Sequence, residues 1–170
     1  MALAVMTGCA GFTSQPVFTK FPSDFHGIQV IHLERAGRIT KIPTEITRHS
    51  DSLHVVFLEA FFLTPVLDIK KSEKGIQITW LQKKQAEKVP FDLEKMVLVI
   101  DYIYSHMNFV PQPEGGLAGF MEKANVNVQL EEFKNLSQCH FPANIHLKFK
   151  DISDLSISVI TKEITCGTII

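Results

Sequence analysis

Two stretches near the C-terminus alternate apolar and polar residues: Asn144-Ile145-His146-Leu147-Lys148-Phe149-Lys150 and Leu155-Ser156-Ile157-Ser158-Val159-Ile160-Thr161. Successive side chains of a strand point to opposite faces, so this pattern gives one dry face and one wet face, as in antiparallel sheet. Asp151-Ile152-Ser153-Asp154 between them is a turn cluster, and the pair is expected to form a hairpin. Asn125–Leu130 alternates in the same way. Earlier in the chain, strands are expected at Ile28–Leu33, Arg38–Pro43, Thr44–Arg48, Leu53–Glu59, Val66–Lys70 and Ile76–Leu81. Pro43 is expected to interrupt its strand or put it at an edge. His49–Ser52 and Lys71–Gly75 are the turns that make residues 44–81 a meander.

One segment breaks this period. From Asp92 to Met107 the apolar residues are Leu93, Met96, Val97, Ile100, Ile103, Tyr104 and Met107, which is helical spacing. Asp92, after Pro90, is the expected N-cap, and Leu98 and Val99 widen the apolar face. Pro111–Gly119 holds two prolines and three glycines and reads as an irregular loop. Many strands, one helix and more strands give an α+β class. The expected architecture is a single strongly curved antiparallel sheet, a half-barrel, wrapped around a buried helix. Such a sheet has a concave apolar interior that one helix only partly fills.

A chain of 170 residues is large enough for one domain with a real core. Its net charge of −1 gives no electrostatic reason to bind nucleic acid. No apolar stretch approaches the roughly 18 residues of a spanning helix, so membrane attachment would come from a lipid or from exposed apolar loops. The beginning, Met1-Ala2-Leu3-Ala4-Val5-Met6-Thr7-Gly8-Cys9, reads as the tail of a truncated lipoprotein signal with Cys9 as the lipidated residue, or as an apolar strand with a buried cysteine. The expected division is therefore a signal at 1–9, a linker at 10–27 and the folded domain at 28–170. If Cys9 carries lipid, Cys139 and Cys166 remain, either as a disulfide in an oxidising compartment or as two buried thiols.

No catalytic residue, metal site or cofactor is assigned. The histidines at 26, 32, 49, 54, 106, 140 and 146 have no metal-ligand spacing, and Cys139 and His140 point to opposite faces of a strand. The chain has no nucleophile elbow, dinucleotide fingerprint or P-loop. Lys83–Lys88 reads as a solvated charged turn. Phe57, Ile69, Ile78, Trp80, Met96, Ile100 and Tyr104 are candidates to line a ligand cavity, with ordinary core as the alternative. Phe61-Phe62-Leu63, ahead of Pro65, either form an exposed apolar contact loop or continue a buried strand.

The order of these parts resembles a bacterial family: a lipobox-like Cys9, a meander over Leu53–Leu81, a helix at Leu93–Tyr104 and the Asn144–Lys150/Leu155–Thr161 hairpin. It is similar to the LolA/LolB superfamily of lipoprotein carriers and receptors, and more closely to LolB-like outer-membrane lipoproteins of unknown function. The chain departs from that group in lacking a glycine in Ala60–Pro65 and in having Tyr104-Ser105-His106 where Trp-Pro is common. The resemblance implies a periplasmic protein anchored through Cys9, with an apolar cavity under a helical lid. Its partner would be a lipid or a lipoprotein acyl chain, and Phe61, Phe62 and Leu63 would form the membrane or acceptor contact. Two other readings stand beside it. One is an assembly lipoprotein that docks a protein on the sheet. The other is a hot-dog-like enzyme on acyl substrates, for which Asp101 is the mid-helix acid, expected on the wet face.

Overall fold

The computed structural model describes residues 20–82, 93–136 and 139–167. The expectations for Cys9, the Lys83–Lys88 turn and the Asp92 cap lie outside these residues.

The strands are β1 (Asp24–Arg35), β2 (Arg38–His49), β3 (Ser52–Leu58), β4 (Pro65–Ser72) and β5 (Gly75–Trp80). The helix α1 (Leu93–Ser105) follows. Then come β6 (Val110–Pro111), β7 (Leu117–Met121), a 3-10 turn at Glu122–Ala124, β8 (Val126–Leu136), β9 (Cys139–Phe149) and β10 (Leu155–Cys166). All ten strands form one antiparallel sheet in the order β5-β4-β3-β2-β1-β10-β9-β8-β7-β6. The sheet is open and curled, and its first and last strands meet at the centre, from Phe25 opposite Cys166 to Arg35 opposite Leu155.

Alternation builds the core. Phe25, Ile31 and Leu33 of β1, Val55 and Phe57 of β3, and Ile145, Leu147 and Phe149 of β9 all point inward and are buried. Met96, Val97, Val99, Ile100, Ile103 and Tyr104 of α1 join the same apolar cluster. Burying such side chains stabilises a fold by roughly 1.5–3 kcal/mol each.

The structure differs from expectation in five places. The first strand starts at Asp24, four residues before Ile28, and Phe21 and Phe25 enter the core. Arg38–His49 is one continuous strand through Pro43. The β2–β3 pairing covers only Thr44–His49, so Pro43 lies where β2 pairs with β1 alone and the missing N–H breaks no ladder. The Pro111–Gly119 segment is a hairpin of β6 and β7 rather than an irregular loop. Gly116 makes its turn, with φ +79° and room for no side chain: a Cβ there would sit 2.5 Å from the Leu130 carbonyl. Leu98 is 48% exposed and does not widen the buried face of α1. Asp101 is buried, not on a wet face.

Candidate functional site

Three inward-pointing polar residues of the sheet reach the C-terminal half of α1. Gln29 of β1 donates from Nε2 to the Tyr104 hydroxyl (3.0 Å) and to Thr161 Oγ1 (3.3 Å). Thr161 donates in turn to the Pro142 carbonyl (3.1 Å). Arg48 of β2 donates from Nη1 to the main-chain carbonyls of Tyr104 and Pro22, and from Nε to that of Ser50. The bond to Tyr104 occupies a carbonyl that the helix end leaves open. Lys71 of β4 forms an ion pair with Asp101 (2.9 Å), whose carboxylate also accepts from Ser105 Oγ. Burial pulls the Arg48 guanidinium below its ordinary pKa, while Asp101, Asp51 and Asp24 oppose that shift. Complete burial pushes the Tyr104 phenol well above its usual value, against the smaller effect of its bond to Gln29. Around Tyr104 the rings of Phe21, Phe25 and Phe141 pack edge-on or tilted, at centroid distances of 4.7, 5.2 and 6.2 Å.

The seven cavity candidates divide into two groups. Phe57, Ile69, Met96, Ile100 and Tyr104 are buried within the common core. Ile78 and Trp80 are half-buried on β5, packed against that core at the end of the sheet. Among the described residues β5 pairs only with β4, so the inward face of this strand has apolar neighbours on one side and a half-open flank on the other.

The β3–β4 turn sits where Trp80 opposes Leu67. It holds Phe61 (88% exposed), Phe62 (83%) and Leu63 (57%) out in water. Its shape is fixed by Glu59, which sequence reasoning missed. One oxygen of its carboxylate accepts the N–H of Phe61 (3.0 Å) and that of Phe62 (2.7 Å). The Leu63 N–H donates to the Glu59 carbonyl and the Glu59 N–H to the Thr64 carbonyl. Leu63 has φ +52°, a left-handed conformation uncommon for leucine. Leu81, also exposed, donates its N–H to the Val66 carbonyl, and the Gln82 side chain donates to Thr64 Oγ1. The exit of β5 is thereby tied to the base of the apolar turn.

Away from the helix, Cys139 and Cys166 form a disulfide between the start of β9 and the end of β10, with Cα atoms 5.6 Å apart. Of the two alternatives, the structure has the bonded one. The β9–β10 register runs only from Lys148/Ser156 to Asn144/Ile160, so the disulfide joins the two strands beyond the point where they pair with each other. The outer face carries His26 near Glu45, His54 bonded to Asp68 and His146 near Glu131. Among the described residues no group of three or more His, Cys, Asp and Glu is placed to hold a metal, and no helix is long and apolar enough to cross a membrane.

No protein-family model and no curated protein sequence matches the chain. Solved structures do. A LolA superfamily protein from Nitrosomonas europaea superposes with a TM-score of 0.55 at 10% identity, over 89% of this chain and 90% of that one. An outer membrane lipoprotein-sorting protein domain from Vibrio parahaemolyticus superposes with a TM-score of 0.50 at 7% identity, over 87% of each chain. At such identities the likeness is one of fold: the chain has the LolA-like fold, a single open, curled antiparallel sheet with, among the described residues, one α-helix.

Proposed function

We propose that this protein is a lipid-anchored periplasmic carrier or receptor that takes a lipid or lipoprotein acyl chain against the concave apolar face of its sheet. In this reading the sheet curls around α1 as a half-barrel. Phe57, Ile69, Ile78, Trp80, Met96, Ile100 and Tyr104 line the ligand's path, entered beside β5. Cys9 carries the lipid that holds the protein at the periplasmic face of the outer membrane. No step of covalent chemistry is involved. Removing acyl surface from water drives entry, and an apolar acceptor is needed for release.

One observation carries the reading. Three consecutive large apolar side chains, Phe61, Phe62 and Leu63, are held in water on a hydrogen-bonded turn, next to the strand that presents half-buried Trp80. Exposed apolar clusters of this kind mark membrane or partner contacts. The two superposed proteins, one of the LolA superfamily and one a lipoprotein-sorting domain, agree with it in kind. The oxidised Cys139–Cys166 pair fits a compartment outside the cytoplasm.

The test is mass spectrometry of lipids extracted from protein purified with its full native leader and without detergent. Stoichiometric acylated lipid is the expected result. Protein free of lipid that also takes up no acyl chain when one is offered would overturn the reading.

A further inference from the structure

We propose that Glu59 is the positioning residue that makes the Phe61–Phe62–Leu63 turn fit to enter the hydrocarbon of a bilayer, which commits the contact surface to a membrane rather than a protein acceptor; the inference rests on the carrier reading above. A backbone N–H carried into hydrocarbon without a partner is costly, because no water is there to receive it. A tip of three apolar side chains would normally bring such donors with it. Here the Phe61 and Phe62 N–H groups both end on the Glu59 carboxylate, and the Leu63 N–H ends on the Glu59 carbonyl. The three apolar residues therefore present side chains outward and no dangling donor. A protein partner or water could satisfy such donors itself and hydrocarbon cannot, so pairing them within the turn removes a cost that a bilayer alone would impose in full.

The position of Glu59 suits the task. It is half-buried at the neck of the turn, following β3, while Phe61 and Phe62 are the most exposed large apolar residues described. Its charge is spread over two N–H bonds at the level of the interface, and the rings beyond it carry none. Leu81, tied through its backbone to Val66 beside the neck, is a further exposed apolar residue close to the turn in the fold.

The experiment is partition of the full-length protein, without its lipid anchor, onto phosphatidylcholine vesicles. Wild type, Phe61→Ala/Phe62→Ala, Glu59→Ala and Glu59→Gln are compared. These vesicles carry no net charge, so losing a negative charge does not by itself favour binding. Glu59→Gln keeps an acceptor oxygen and is expected to partition like wild type. Glu59→Ala leaves the donors unpaired, and its partition is expected to fall about tenfold. Thermal unfolding and acyl-chain uptake in solution are expected to be unchanged in both, which separates positioning from folding. Glu59→Ala partitioning like wild type, or Glu59→Gln falling with it, overturns the role of Glu59. Wild type partitioning no better than Phe61→Ala/Phe62→Ala overturns membrane contact itself. If acyl chains are still taken up in that case, the carrier reading stands without it.

Discussion

Asp101, in the middle of α1, and Lys71, on the inward face of β4, form a 2.9 Å ion pair at the edge of the apolar core. Both side chains are largely shielded, so neither is cheaply left alone. Lys71→Met should destabilise the fold by about 2 kcal/mol, since Asp101 then loses its ion-pair partner and keeps the Ser105 hydroxyl and the more distant charge of Arg48. The double variant Lys71→Met/Asp101→Leu should lose less than the two single changes summed. Urea unfolding of the full double-mutant cycle measures this, and strictly additive losses would show the pair to be uncoupled.

Tyr104 supplies a pH dependence. Its phenol titrates higher in the folded protein than its unperturbed value of 10.0, because burial penalises the charged form. A raised folded value means that this contribution to stability is complete below pH 10.0 and is lost as pH rises above it. Tyr104→Phe should cost about 1–2 kcal/mol near neutrality, because buried Gln29 loses the Tyr104 hydroxyl and keeps Thr161, and should fall less steeply in alkali than wild type. Thermal melts of both proteins from pH 7 to pH 11 provide the comparison; identical alkaline slopes would contradict it.

The Cys139–Cys166 disulfide closes a loop of 27 residues in sequence separation. Its reduction should lower the unfolding free energy by about 3 kcal/mol, chiefly through the freer unfolded chain. The Cys139→Ser/Cys166→Ser variant should match the reduced protein. Hydrogen exchange should rise first at 139–143 and 161–166, where no ladder joins β9 to β10.

Phe61→Ala/Phe62→Ala should change stability by under about 0.5 kcal/mol, because both side chains stand in water. A large destabilisation on urea unfolding would mean that the turn packs against the domain.

How much of this was legible before the structure depends on how local each feature is. The strands around Val128, Ile145 and Ile157 declare themselves because one face meets the core, and the alternation records that. The β7 strand does not, since Leu117-Ala118-Gly119-Phe120-Met121 is short and rich in small residues. Gln29, Arg48 and Lys71 each occupy the inward parity of a strand whose inward neighbours are largely apolar, so a need for partners was readable there. The partners were not: Tyr104 lies 75 residues beyond Gln29 and 56 beyond Arg48, and only the fold brings them together. Asp101 was misplaced for the same reason, because helical periodicity cannot see a lysine arriving from β4. In the candidate site, the apolar run at Phe61–Leu63 was visible. Its support was not, because a carboxylate collecting two N–H groups requires a turn with Leu63 at positive φ, which leucine does not advertise.

The central claim is that an acyl chain lies against the concave face beside β5. The protein has one tryptophan, Trp80, half-buried on that strand. Its fluorescence therefore reports the proposed site without a label. Titration with a long-chain fatty acid brominated along its chain, in buffer without detergent, is the direct measurement, since bromine quenches only an indole it touches. The account predicts saturable quenching of Trp80 at about one equivalent per protein, reversed by excess unbrominated acid and weakened in Ile78→Lys. Emission unchanged up to the solubility limit of the acid would contradict it.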